Sequence, residues 1–442
     1  MNTSMPYEYA SVFPKTLSSL IDRFQIKDIG QAIKKIAGEY FPLEISSSTV
    51  RGAQIKNLIV KTANHPWEIL STQSLCEIYP PSHSEVLFYM PKGYPFLTIK
   101  DYPYKVLEIS NITALITYVQ SAQPKNIYLQ VSPHAKSEYL VILFHHFFPH
   151  INLTVEFYDM GLLFSDAIQK ETRGYSDQDI LQSCLSSWVA MNHCQAVVVK
   201  SAGADWEKLV QKSLAPCFTI YPMLDDKSLV NAGEKQELSW VPSDVKRILF
   251  AGSVTSSELR IGPEKTPGAN FLEYFRQISQ STNTVLNIYN AAHKTTSDND
   301  NLKFSVLEKW IAQLPGQVNY YSSILQCELV AKQAVHDFGF FCVHYADDKV
   351  EHVGRVAIPN RVMSYVCSGL PVIVDTRAEY MAKLIEKYNA GILIDPAIPG
   401  HLNKKIKTSN IPQLRKGVKK LREALINENN QQLTKLKALL IE

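Results

Sequence analysis

One short segment of the chain combines a cation with two residues that mark helix ends. It runs from Pro359 to Asp375 and reads PNRVMSYVCSGLPVIVD. Pro359 suits the first turn of a helix, where its missing N–H is not needed, and Gly369 suits the left-handed position after the last turn. Asn360 and Arg361 therefore fall in the first turn, where free N–H groups and the helix dipole attract phosphate. The segment predicts a phosphate site, and a solvent-exposed arginine is the alternative.

A second basic group follows the predicted strand 247–252. Gly252 and Ser253 form a glycine turn, and the long loop after it carries Arg260 and Lys265. In a wound α/β fold, ligands bind in the crevice outside the carboxyl ends of the strands. These side chains could hold an anionic ligand in that crevice. A solvated charged loop is the alternative.

Polar residues also follow two strands predicted in the first half of the chain. His134 comes after the strand 126–131, and Asp159 comes after the strand 153–158. Both positions lie at the carboxyl end of a predicted strand, where a wound α/β fold binds its ligands. Loop residues without a chemical role are the alternative for both.

Three further histidines, His145, His146 and His150, lie close together in the sequence. No carboxylate or cysteine accompanies them at the spacing of metal ligands, and phenylalanines surround them. We therefore interpret them as residues at the end of a helix. No pair of aspartates with metal-binding spacing stands out either, so we expect no metal site.

Alternating strand and helix patterns must position these residues. From about residue 55, short β-branched or aromatic runs alternate with segments of helical period, which predicts an α/β fold with wound sheets. The polar stretch 224–246 predicts a connection between two domains. We expect a Rossmann-like domain over 1–240, with this linker at its end, a second Rossmann-like domain over 247–400, and a basic amphipathic helix over 401–442.

Composition sets outer limits on the class of protein. A chain of 442 residues exceeds the size at which one core stops growing. Its net charge of +3 is too small to indicate a nucleic-acid partner. Seven scattered cysteines without a CxxC pair suit reduced thiols in the cytosol. The N-terminus lacks the order of a signal peptide, and no apolar run approaches the ~18–20 residues of a membrane span. We expect a cytoplasmic protein, at most attached to a membrane surface.

The C-terminal region is unusually basic. Between Lys404 and Arg422 there are eight lysines or arginines and no acidic residue. A solvated helix face is the plain interpretation of such a run. A peripheral contact between this helix and anionic lipid is the alternative.

The segment 359–375 resembles the donor-binding segment of glycosyltransferases of the GT-B fold. In that family it runs Pro, a polar residue, Lys or Arg, and then a helix ending in Gly-x-Pro-Val-Ile. LFAGS at 249–253 is similar to the strand and glycine turn that open the family's C-terminal domain, and AGILID at 390–395 is similar to the strand after the donor helix. The resemblance covers roughly 247–395 and, more loosely, 126–222.

This resemblance implies two Rossmann-like domains that face each other across a cleft. It implies a retaining enzyme of bacterial glycan biosynthesis, with a donor domain like that of family groups 1 and 4. The enzyme would move a hexose-type sugar from a nucleoside-diphosphate sugar, most often a UDP-sugar, to a saccharide, lipid-linked or protein acceptor. It would need neither a cofactor nor a metal. Arg260, Lys265 and Arg361 would hold the diphosphate, and His134 would face the reacting sugar.

The sequence departs from the family at one pair of positions. Many retaining members carry two glutamates there, one toward the sugar and one toward the ribose, whereas this chain has Val356 and Ser364. Ser364 can still offer a hydroxyl to ribose, and Glu351, with its neighbours Asp347 and Asp348, could replace the carboxylate that faces the sugar. The departure keeps two other functions open. One is a non-catalytic partner subunit or glycan-binding protein, and the other is a nucleotide-sugar epimerase.

Overall fold

The computed structural model divides the chain into two compact units, Met1–Ile220 together with Gln431–Glu442, and Tyr221–Asn430. The residues it describes are 29–40, 55–62, 69–89, 102–132, 137–163, 170, 174–237, 239–254, 271–281, 283–291, 293, 298–342, 353–395, 398 and 400–441. The described residues of each unit form one parallel sheet. Parallel strands need crossover connections, which here are mostly helices, so the chain alternates between the two kinds of element.

The described part of the first unit is built on a seven-stranded sheet in the order β3-β2-β1-β4-β5-β6-β7. The strands are β1 Asn57–Lys61, β2 Ser84–Tyr89, β3 Lys105–Ile109, β4 Asn126–Val131, β5 Asn152–Phe157, β6 Ala196–Val199 and β7 Cys217–Thr219. The helices are α1 Ile29–Tyr40, α2 Thr72–Ile78, α3 Ile112–Ala122, α4 Tyr139–Phe147, α5 Asp177–His193 and α6 Ala204–Val210. Side chains of Ser71, Asn111 and Ser176 cap the N-termini of α2, α3 and α5.

The described part of the second unit is built on a six-stranded sheet in the order β10-β9-β8-β11-β12-β13. The strands are β8 Lys246–Gly252, β9 Thr284–Asn290, β10 Gln317–Tyr321, β11 Phe338–Phe341, β12 Val372–Asp375 and β13 Gly391–Ile394. The helices are α7 Lys227–Glu237, α8 Phe271–Ser279, α9 Asp298–Ile311, α10 Gln326–Gln333, α11 Val353–Val356, α12 Asn360–Cys367, α13 Glu379–Tyr388, α14 His401–Thr408 and α15 Ile411–Ile441.

Each sheet has one point where the strand order reverses, which we call its switch point. In the first sheet it lies between β1 and β4, and in the second it lies between β8 and β11. The connections that leave the two strands at a switch point run to opposite faces of the sheet. This separation opens a crevice outside the carboxyl ends of the strands. The two switch points are therefore the places where this fold positions ligands.

The predicted α/β fold with a wound sheet in each half is confirmed. The prediction of β4 has the same bounds as the strand, and the predicted strands 153–158 and 247–252 differ from β5 and β8 by no more than one residue at each end. Periodicity did not reveal β2 and β3. The stretch 224–246 is not simply a linker, because it contains α7, which packs on α10 and α12 of the second unit.

Helix α15 contributes to the cores of both units. The region 401–442, expected as one basic amphipathic helix, contains the two helices α14 and α15, and Leu414, Val418, Leu421 and Leu425 of α15 are buried. Leu436 and Leu440 pack into the core of the first unit. No helix of the described residues has the length and apolar character needed to cross a bilayer.

The structure separates the basic run of this region into two kinds of residue. Arg415 and Arg422 are buried, which neither interpretation of the run predicted. Arg415 donates hydrogen bonds to the carbonyl oxygens of Gly369, Ala334 and His336 and stacks on Trp240 at 4.5 Å. Arg422 donates to the carbonyl oxygen of Cys367. The two guanidiniums therefore cap the carboxyl-terminal ends of α10 and α12, where cations are favourable. The remaining lysines, 404, 405, 407, 416, 419 and 420, are exposed.

Candidate functional site

Arg361 lies in the first turn of α12, directly over the end of β8. Its guanidinium carbon is 4.2 Å from the centroid of the Phe250 ring. A Cβ atom built on Gly252 would overlap Arg361 Nη2, so only glycine lets the guanidinium approach the backbone this closely. The residue before the helix, Pro359, is its N-cap, one position earlier than the sequence predicted. Gly369 has the expected positive φ, +70°. A cation, a helix N-terminus and a bare backbone thus meet at the second switch point.

Tyr365 fixes α12 to the two strands of this switch point. Its hydroxyl accepts a hydrogen bond from Ala251 N at 3.0 Å and donates to Phe340 O at 3.2 Å. Burial raises the pKa of Tyr365 to about 12, so the hydroxyl remains protonated at neutral pH. The ring packs over Gly339, where a Cβ would overlap it. Tyr365 therefore sets the height of α12, and with it of Arg361, above the end of β8.

A buried amide holds the turn that follows Gly252. Asn290, next to Gly252 across the sheet, accepts a hydrogen bond from Val254 N at 3.0 Å and donates to Val254 O at 2.8 Å. Its amide also donates to the Tyr320 hydroxyl at 2.9 Å, and this hydroxyl lies 3.0 Å from His293 Nδ1. Because the turn is fixed by both its N–H and its carbonyl, it is pre-organised before any ligand arrives.

A cavity of about 450 Å³ opens beside this network, at the carboxyl ends of β9 and β10. Its lining includes Tyr289 and Tyr321, whose rings stack with centroids 4.6 Å apart and an interplanar angle of 16°. Ser322, Ile324 and the exposed Lys332 line other parts of it. The volume falls in the range of small-molecule sites, and stacked aromatic rings suit a planar heterocycle.

Ser364 is buried, with 3% of its surface exposed. Its hydroxyl donates to Gln333 Oε1 at 2.9 Å and accepts from Gln326 Nε2 at 2.9 Å. The hydroxyl therefore joins α10 to α12. The predicted contact between Ser364 and ribose remains a prediction, and a hydrogen bond donated by Ser364 to ribose would replace the one it donates to Gln333. Val356, the other position of the family's glutamate pair, is buried with 2% exposed.

The first unit presents Asp159 just beyond β5. Its carboxylate lies 3.7 Å from Lys200 Nζ, and this ammonium group sits 3.6 Å from the centroid of the Tyr158 ring. Burial raises the pKa of Tyr158. Asp159 is 24% exposed, whereas the Lys200 side chain is 9% exposed. Asp159 is therefore a reachable carboxylate that a buried cation holds in place.

Two hydroxyl side chains, those of Thr62 and Ser137, bridge the switch point of the first sheet together with the backbone N–H of Ser132. Thr62 Oγ1 donates to Gln130 O at 3.0 Å and lies 2.7 Å from Ser137 Oγ. Ser132 N donates to both of these hydroxyl oxygens, at 3.2 and 3.0 Å. Neutral hydrogen bonds thus tie the end of β1 to the segment that follows β4.

Several predicted site residues lie outside the described residues. They are His134, Arg260, Lys265 and Glu351, together with Asp347 and Asp348. The described candidates Gly252, Ser253, Asn360 and Arg361 are all half-buried. Gly252 and Arg361 lie together at the second switch point, and Ser253 and Asn360 are their chain neighbours. Their roles in ligand binding remain predictions.

Metal coordination finds no support among the described residues. No three His, Cys, Asp or Glu side chains come together there as a metal site. His145 and His146 lie in the last turn of α4, as interpreted from the sequence, and the His145 ring stacks on His193 at 4.8 Å. Burial is the main cause that lowers the pKa of both His145 and His193, which favours their neutral forms.

Sequence reasoning missed Asn290, Tyr289, Tyr320 and Tyr321. One signal could have found them, because they end β9 and β10 at the edge of the sheet where ligands bind. Tyr365 stood inside the recognised segment 359–375. Its role could not be read from the sequence, since its partners Ala251 and Phe340 belong to other strands.

Comparison with known protein families finds a match within the second unit. Residues 275–433 match the model of the C-terminal domain of glucosyltransferase 3-like proteins. The match covers the sheet from β9 onward, α12 and most of α15. The sequence matches no curated protein.

Solved structures resemble the chain over most of its length. One is the Anabaena protein HepE in complex with UDP and glucose, at 12% identity and a TM-score of 0.57, covering 87% of this chain and 100% of that chain. Another is sucrose-phosphate synthase from Thermosynechococcus elongatus, at 12% identity and a TM-score of 0.53, with the same coverage. A third is a UDP-forming α,α-trehalose-phosphate synthase from Burkholderia xenovorans, at 9% identity and a TM-score of 0.55, covering 88% of this chain and 99% of that chain. The chain therefore has the fold of the GT-B glycosyltransferases, with a Rossmann-like sheet in each unit.

Proposed function

We propose that this protein is a glycosyltransferase that moves a hexose-type sugar from a UDP-sugar to a hydroxyl acceptor, with retention at the anomeric carbon. The observation that carries the proposal is the position of Arg361 at the second switch point. Its guanidinium lies over Gly252 and beside the N-terminus of α12, which suits a diphosphate. The UDP-containing complexes among the structural neighbours support a uridine nucleotide.

The second unit would bind the donor in three parts. Arg361 and Asn360, with the backbone at Gly252 and Ser253, would hold the diphosphate, joined by Arg260 and Lys265 from the loop after β8. The cavity lined by Tyr289 and Tyr321 would receive the base. Glu351 would face the sugar, in place of the glutamate that many family members have.

In the reaction, the bond between the anomeric carbon and the phosphate oxygen breaks while the acceptor oxygen bonds to that carbon. UDP leaves with the bonding electrons, and the cationic site stabilises its charge. The acceptor's proton passes to His134 or to a donor phosphate oxygen. Asp159, held by Lys200, would orient the acceptor by accepting a hydrogen bond from another of its hydroxyls.

The experiment that tests this function is a panel of nucleotide-sugars offered with saccharide, lipid-linked and peptide acceptors. Release of nucleoside diphosphate that requires both substrates supports the proposal. NMR of the product's anomeric proton then decides between retention and inversion. Folded protein that releases no nucleoside diphosphate with any pair contradicts the enzyme.

A non-catalytic partner subunit or glycan-binding protein is the second candidate. The observation in its favour is that the positions of the glutamate pair hold the buried residues Val356 and Ser364. Such a protein would bind nucleotide or glycan in the same panel without turnover. An epimerase would instead convert the nucleotide-sugar with no acceptor present.

We also propose a cytoplasmic location with peripheral attachment to a membrane. The exposed lysines of α14 and α15 support this attachment, because each lysine near an anionic surface contributes about 1 kcal/mol. Co-sedimentation with vesicles containing phosphatidylglycerol, compared with phosphatidylcholine alone, tests it. Equal sedimentation with both would contradict the contact.

A further inference from the structure

Gln326 begins α10 at the carboxyl edge of the second sheet, beside the helix that carries Arg361. It reaches α12 through Ser364, which follows Arg361 by three residues and so lies ~4.5 Å further along the helix axis. Ser322 and Ile324, in the segment that leads into α10, line the cavity together with Tyr321. Gln326 thus stands between the cavity and the turn of α12 that carries Arg361.

Hydrogen bonds fix which way the Gln326 amide faces. The Ser364 hydroxyl has one proton, which it donates to Gln333 Oε1, so its oxygen accepts from Gln326 Nε2. Gln326 Nε2 also donates a hydrogen bond to Met223 Sδ, at 3.7 Å. Both amide protons of Gln326 are therefore directed into the protein. None of the described residues donates a hydrogen bond to Gln326 Oε1, and the side chain is half-buried.

An accessible carbonyl oxygen at this point calls for a ligand that donates a hydrogen bond. A nucleoside diphosphate with its diphosphate at Arg361 and its base in the cavity would carry its ribose between the two. Each ribose hydroxyl can donate a hydrogen bond, and the sugar of a deoxynucleotide has one hydroxyl fewer. The hydroxyl of Ser364 is buried and its one proton is donated to Gln333, so the half-buried amide of Gln326 is the better placed of the two to meet a ribose hydroxyl.

We propose that Gln326 recognises a ribose hydroxyl of the donor nucleotide, oriented for this role by Ser364 and Gln333. The inference rests on the proposed function, since it requires a nucleotide in this part of the second unit. It makes Gln326 a specificity-determining residue that replaces the ribose-facing glutamate of the family. Selection acts on the sugar of the nucleotide and is independent of the base.

The experiment measures calorimetric dissociation constants of the full chain for UDP, GDP and ADP and for their 2′-deoxy and 3′-deoxy forms. The best-binding base is then used for three variants. We expect the wild-type protein to prefer the ribonucleotide by roughly five- to tenfold, the worth of one hydrogen bond. Gln326→Leu, which has a similar size and no acceptor, should bring this ratio close to one.

Gln326→Glu separates recognition from a structural effect. Its carboxylate cannot donate to Ser364, so the orienting chain is broken, and its charge weakens binding of every diphosphate. It can still accept from ribose, so the ratio of ribo- to deoxynucleotide should persist. Gln413→Leu, at an exposed position of α15, makes the same chemical change as Gln326→Leu away from the site and should alter neither affinity nor ratio.

Two results would overturn the inference by different routes. A wild-type ratio retained in Gln326→Leu, with nucleotide binding intact, would refute the role of Gln326 and leave the proposed function standing. No binding of any nucleoside diphosphate to the folded wild-type chain would refute the proposed function, and the inference with it.

Discussion

The two switch points differ in the groups that they carry. The switch point of the first sheet carries hydroxyl groups, and the switch point of the second sheet carries a guanidinium over a glycine. Thr62, Ser132 and Ser137 close the first with neutral hydrogen bonds. Gly252 leaves the second open to Arg361. The strand order reverses in the same way in both sheets, so topology does not cause the difference. The same fold thus carries neutral groups at one switch point and a cation at the other, and what each can bind depends on a few side chains at the strand ends.

The largest expected effect belongs to the first unit and concerns turnover alone. His134→Ala should lower kcat roughly a hundredfold or more, the range of a positioned acid–base group. Nucleotide affinity should not change, because the donor is assigned to the second unit. Steady-state kinetics and calorimetry on the same preparation check both statements. Full turnover in the variant would show that His134 has no role in the mechanism. Weakened nucleotide binding would contradict the assignment of the nucleotide to the second unit alone.

Arg361→Ala should affect nucleotide affinity itself. Loss of one charge-assisted contact is worth about 1.5–3 kcal/mol, or roughly a 10- to 150-fold rise in the dissociation constant for UDP. Arg355→Ala is the matched control, because Arg355 lies nearby in sequence but forms an exposed ion pair with Glu379 at 2.9 Å. Calorimetry that finds equal affinities for the two variants would rule out the phosphate role of Arg361.

Gly252→Ala tests the close approach without removing the charge. The new Cβ would overlap Arg361 Nη2, and because this is the end of a flexible side chain, the guanidinium should move while the fold persists. We expect a roughly tenfold weaker affinity for UDP, since a displaced guanidinium loses the geometry of its contact. Gly38→Ala, where a Cβ meets nothing within 4 Å, controls for the substitution type. A melting temperature near wild type with unchanged UDP affinity would mean that the position of Arg361 over the glycine is unimportant.

The smallest effects come from a matched pair that removes one bridging hydroxyl from each switch point. Tyr365→Phe and Ser137→Ala should each lower the free energy of unfolding by about 1–3 kcal/mol, because buried hydrogen-bonding groups lose a partner. Only Tyr365→Phe should also weaken UDP binding, by roughly three- to fivefold, since Tyr365 sets the height of Arg361 above β8. Denaturant unfolding and calorimetry separate the two outcomes. Equal effects on UDP binding would contradict the contrast between the switch points.

The sequence predicted most of the elements because buried strands and helices carry a strong period. It failed where burial is weak, since β3 is an edge strand whose residues are half-buried or exposed. It also failed over the stretch 224–246, which it marked as a linker although Gly233 lies in the middle of a helix. That glycine lies inside α7, and a Cβ there would overlap the carbonyl oxygen of Cys367, so it serves close helix packing. A glycine for a turn and a glycine for packing look the same in a single sequence.

Prediction of the site succeeded for residues that share a short segment and stopped where partners are distant. Arg361 could be found because helix boundaries and charge occur together at 359–369. The hydrogen bonds that orient Gln326 join three elements, and no local pattern encodes them. Asn290 fixes the turn after Gly252 from the neighbouring strand, so its function depends on strand pairing that spacing alone does not specify.

The stability of α12, the helix that carries Arg361, depends on Arg415 and Arg422, whose codons lie far downstream of that helix. A stop codon or frameshift before the codon of Arg415 would delete both guanidiniums. The carbonyl oxygens of Ala334, Cys367 and Gly369 would then lose donors, at a cost of about 1–3 kcal/mol for each one left buried. Natural selection should therefore tolerate a shortened reading frame here as poorly as a change in the phosphate site. Two arginines seven positions apart in α15 are a mark by which relatives sharing this cap could be found.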